Sequence, residues 1–72
     1  MRTLAILERT TKKGYRSVWH FVEGLDGFYA FGGCKTPMVK KFATRKQLRA
    51  LYNSYIRYGY KQVAEQLELA LA

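Results

Sequence analysis

The sequence predicts an α+β fold: an antiparallel β-meander of three or four strands, then two C-terminal helices packed on one sheet face. Three observations carry this expectation. Before position 44, apolar residues recur mainly with period two, as in strands. After Thr44 the spacing changes to that of a helix. Gly-containing clusters separate the strand-like runs at hairpin distances. With 72 residues, 49% of them hydrophobic, the chain has material for one core, so a single domain over residues 1–72 is expected.

The first strand is expected over residues 3–9, with Leu4 and Ile6 on one face and Ala5 and Leu7 on the other. A turn ending in Gly14 follows. Residues 15–23 form the clearest strand, rich in aromatic and β-branched side chains. Tyr15, Ser17, Trp19 and Phe21 point one way, and Arg16, Val18, His20 and Val22 the other. Both faces carry bulk, which suits a central strand. The loop Gly24-Leu25-Asp26-Gly27 makes a hairpin to a short strand at 28–31. Gly32 and Gly33 are expected to break that strand into a flexible loop. Residues 38–43 supply a fourth strand, with Pro37 at its start favouring an edge position.

Thr44-Arg45-Lys46-Gln47 fits a capping box, which opens a helix over 45–58 with Gly59 as its left-handed stop. At 100° per residue, Leu48, Leu51, Tyr52, Tyr55 and Tyr58 share one 120° sector. Arg45, Lys46, Arg49, Asn53 and Arg57 share another. A second helix is expected over 61–71, with Val63, Ala64, Leu67 and Leu71 as its stripe. Ile56 and Leu69 fall off the apolar stripes, which suggests that a homodimer contact covers them.

The charge distribution is the strongest functional signal. The net charge is +8, and residues 27–64 hold Lys35, Lys40, Lys41, Arg45, Lys46, Arg49, Arg57 and Lys61 without one acid. Such a stretch points to an anionic partner. Arg45, Lys46, Arg49 and Arg57 would lie along about 20 Å of one helix face, a spacing suited to several phosphates. Lys40 and Lys41 lead into that ridge, Lys61 follows it, and Asn53 can reach a base edge. Lys12, Lys13 and Arg16 offer a second, loop-based contact. The leading expectation is therefore a small non-enzymatic protein that binds DNA or RNA through its phosphates. The alternative is an inhibitor or adaptor, of the small kind found in phages and mobile elements, that docks on an acidic surface of a host protein. Its support is the chain's tyrosine content.

Other chemistry is poorly provided for. The lone His20 has no evident nucleophile partner, and Cys34 reads as an incidental thiol. One Cys and one His do not make a metal site, and no cofactor motif is present. A single cysteine fits a reducing compartment, and no apolar run suits a leader or a membrane span, so a cytoplasmic protein without a membrane partner is expected.

Residues 15–58, where Lys41-Phe42-Ala43-Thr44 runs from a basic strand through an aromatic into a helix cap, resemble the three-stranded-sheet DNA-binding domains of tyrosine-recombinase arms and of a class of plant transcription factors. That resemblance implies a sheet face entering the major groove through basic and aromatic strand residues. Here the charge sits mainly on the helix instead.

Overall fold

The structure, a computed structural model, describes residues 2–33 and 36–63. Strands β1 (Arg2–Thr10), β2 (Arg16–Glu23), β3 (Phe28–Gly33) and β4 (Met38–Phe42) form the meander that the alternation predicts. Helix α1 (Arg45–Arg57) follows, and the chain then returns as a short strand, β5 (Lys61–Gln62). All pairings are antiparallel, in the order β4-β3-β2-β1-β5.

The expected pair of C-terminal helices is thereby corrected: the fold is a five-stranded antiparallel sheet with a single helix among the described residues. The start of the second predicted helix is β5. Lys61 and Gln62 pair with Glu8 and Leu7, and the Val63 N–H donates to the Ile6 carbonyl at 3.0 Å. The outer edge of β1 would otherwise present unpaired backbone groups, and these pairings outweigh the helical spacing of Val63. Residues 64–71 of that predicted helix lie outside the described residues.

The reversal that delivers β5 is built into the end of α1. Gly59 takes a φ of +97°, and its N–H donates to the Ile56 carbonyl while Tyr60 N–H donates to Tyr55. This is a Schellman ending, closed by Tyr60 stacking on Tyr55 with ring centroids 5.0 Å apart. The Tyr60 hydroxyl lies 2.8 Å from that of the buried Ser17, which ties the helix exit to β2.

Helix and sheet meet over Phe21, whose ring has Tyr52 and Tyr55 edge-on at 5.7 and 6.0 Å. Leu4, Leu7, Phe21 and Leu48 are wholly buried. Trp19 is buried too, edge-on to Tyr55. Two expectations fail at this level. The register of β1 against β2 shifts between Thr3 and Ala5, and this bulge lets Leu4 join Ala5 and Leu7 in the core instead of sharing a face with Ile6. Gly32 and Gly33 are not a loop; they extend β3 and pair with Trp19 and Val18. A Cβ on Gly32 would fall 1.9 Å from the Val18 carbonyl oxygen, so the two strands approach closely because this position is glycine.

Candidate nucleic-acid interface

The outer face of α1 is set by its cap and its buried stripe. The Thr44 hydroxyl accepts from Gln47 N–H at 3.3 Å, and the Gln47 side-chain oxygen accepts from the Thr44 and Ala43 N–H groups. This capping box fixes where the helix begins. Leu48 and Tyr52 fix its rotation by facing the sheet. The turn per residue then aims Lys46, Arg49, Asn53 and Arg57 at solvent, and all four are exposed. Lys46 to Arg57 spans about 16 Å at the helical rise. No acid lies on α1.

The described acids are all engaged on the sheet. Glu23 takes the Arg2 guanidinium at 2.7 Å and Arg45 at 3.7 Å. Glu8 takes Arg16, whose Nε donates to it at 2.6 Å. Asp26 accepts from the Tyr29 hydroxyl at 2.6 Å and from Lys41 Nζ at 3.1 Å. The Tyr29 hydrogen bond, followed by Lys41, holds the Asp26 carboxyl below its usual range. The same hydrogen bonds raise Tyr29 and Lys41 above theirs. Lys46, Arg49 and Arg57 form no ion pair with any described carboxylate.

The cations expected to act together are therefore divided. Arg45 is drawn back from the ridge to Glu23 and sits 5.9 Å from the Phe28 ring centre. Lys40 and Lys41 lie on opposite faces of β4, as the strand period requires. Lys40 Nζ is 6.0 Å from the Trp19 ring centre on the helix side, and Lys41 is on the far side with Asp26. Lys61 pairs with Glu8 in register, Arg16 reaches the same carboxylate from opposite Thr10, and both share that far side. Lys12 and Lys13 are exposed in the β1–β2 turn. Tyr58, expected in the apolar stripe, is exposed at the helix end, and Ile56 is exposed two turns along α1 from Arg49.

The chain matches no family model, no curated protein and no solved structure. The site is thus defined by its own geometry. Among the described residues no helix is long and apolar enough to cross a membrane. No group of three or more potential metal ligands occurs among them either.

The sheet face away from α1 is lined by Ile6, Val18, His20, Val22, Tyr29, Phe31 and Val39. No described element lies over it. The signal was available in β2, whose two faces both carry bulk; a strand interior to a sheet explains that only if both sheet faces are covered.

Proposed function

We propose that the protein binds nucleic acid, gripping phosphates with the outer face of α1. The observation that supports this most directly is the line of Lys46, Arg49 and Arg57 on a capped helix, unmatched by any described carboxylate while Glu8, Glu23 and Asp26 are all matched on the sheet. Cations held in a row by a rigid element displace counterions from a polyanion without first breaking intramolecular pairs. Asn53 between them adds an amide that suits an adenine edge, but the ridge is dominated by cations spaced along phosphates, so sequence discrimination is weak.

Charge reversal tests the reading. Arg49→Glu leaves the core untouched, because the side chain is exposed. It should lower the affinity for a labelled 20-base-pair duplex at least tenfold by fluorescence anisotropy, with an unchanged circular-dichroism melt. Equal affinity of the variant and the parent chain would overturn it.

A second reading is favoured by Ile56 and Tyr58, which are 41% and 67% exposed beside the ridge. Apolar and aromatic anchors next to arginines suit docking on an acidic protein surface. A stoichiometric protein partner that survives nuclease treatment and is released by Ile56→Asp would favour this reading over the first.

A further inference from the structure

We propose that the open face of the sheet is a second binding surface, for an unpaired nucleic-acid strand, with bases stacking on His20 and Phe31. The inference rests on the reading that the chain binds polynucleotide, and adds where and in which form. His20 and Phe31 are partners across β2 and β3, the middle of the sheet. Their rings stack on one another, 10° from parallel with centroids 5.1 Å apart, as a paired aromatic feature of that face. Ile6 on β1 and Val39 on β4 extend it into an apolar row across four strands, and Val39 is 70% exposed.

The chemistry of this row selects among polyanions. A duplex hides its base faces in its own stack and offers phosphates and groove edges, which an apolar row cannot bind. An unpaired strand offers base faces, and aromatic side chains on an open antiparallel sheet bind two or three of them. Its phosphates need cations at the rim. Arg16 and Lys41 stand there on the same face, with 65% and 54% of their side chains exposed although each holds a carboxylate. These pairs cancel the acids of the face and leave Lys61, beside Glu8, to add positive charge.

Twelve-residue oligo-dT and oligo-U, each labelled, are titrated with the full chain alongside a duplex of equal length. Phe31→Leu keeps apolar volume and removes the ring. It should weaken single-strand binding about tenfold, the loss of one stacked base, and leave duplex binding unchanged. Phe31→Trp should restore it. In the parent chain, adding oligo-dT or oligo-U should move the His20 ring proton resonances upfield, as a base stacked over an imidazole requires. Stronger binding of either oligonucleotide supports the proposal, and the difference between them reports the sugar preferred. The proposal is overturned if Phe31→Leu binds single strands like the parent, or if sedimentation shows a dimer that Val39→Asp dissociates while single strands leave His20 unmoved. Duplex binding would survive either result, so the ridge reading would stand; failure of every oligonucleotide to bind would remove both.

Discussion

The two faces of the sheet are made from alternate residues of the same strands, and they differ in what covers them. On one face Leu7, Phe21 and Ala30 have no exposure at all, because Leu48 and Tyr52 of α1 close over them. On the other, Ile6, His20 and Phe31 are partly exposed and Val39 largely so. Apolar composition alone therefore does not identify the core. The helix does, and its own outer side then becomes the cationic surface. Antiparallel sheets commonly carry polar residues on a solvated face, so the apolar row on the face that no described element covers departs from that pattern.

Substitutions on the two faces should accordingly differ in kind. The largest effect is expected at Gly32, where any Cβ collides with the β2 backbone and φ is +154°. Gly32→Ala should cost about 3 kcal/mol or more and separate β3 from β2, read as loss of amide protection in both strands. Next comes Leu48→Ala, which empties a fully buried site and should cost about 2–5 kcal/mol in urea melts. Val39→Thr on the open face should change stability by less than about 0.5 kcal/mol. Equal costs at positions 48 and 39 would mean that both faces are core.

These contrasts also mark how far the sequence was readable. The four meander strands and α1 were legible because alternation, the Thr44–Gln47 capping box and the Gly59 stop are local signals. β5 was not, since Lys61 and Gln62 carry no strand pattern and pair only because β1 has a free edge beside them. The bulge that turns Leu4 inward was equally hidden, because period two admits no extra residue. On the candidate interface, the outward arc of Lys46, Arg49, Asn53 and Arg57 followed from helical rotation. The withdrawal of Arg45 did not, because Glu23 is 22 positions away in sequence and meets it only in the folded sheet. The separation of Lys40 from Lys41 was available from strand alternation, but their adjacency in a basic run suggested a shared surface.

An effect between those at positions 48 and 39 is expected at the cap. Thr44→Ala removes the acceptor for Gln47 N–H and should cost about 1 kcal/mol. If the ridge depends on a well-anchored helix, the same variant should also reduce duplex affinity slightly, whereas Thr3→Ala on the sheet should not.

The smallest effect concerns the hairpin pin formed by Tyr29, Asp26 and Lys41. Asp26 is lowered from its ordinary 3.8, so its contribution is present above that value and is lost as pH falls through the lower folded value. Tyr29 and Lys41 are raised from 10.0 and 10.5, so their contribution is present below those values and is lost as pH rises through the higher folded ones. Asp26→Asn should flatten the acid limb of a thermal melt series. Part of the alkaline limb should persist, because burial also raises Tyr52 and Tyr55 in the core. An unchanged acid limb would show that the pin does not contribute to stability.

The central claim is that three cations on α1 engage phosphates, and the salt dependence of duplex binding tests it most directly. Each neutralised phosphate contributes about −0.9 to the slope of log affinity against log salt, so the ridge predicts a slope of about −3. Arg57→Ala should make it shallower by about one. A slope near zero, or one indifferent to Lys46, Arg49 and Arg57, would contradict the account.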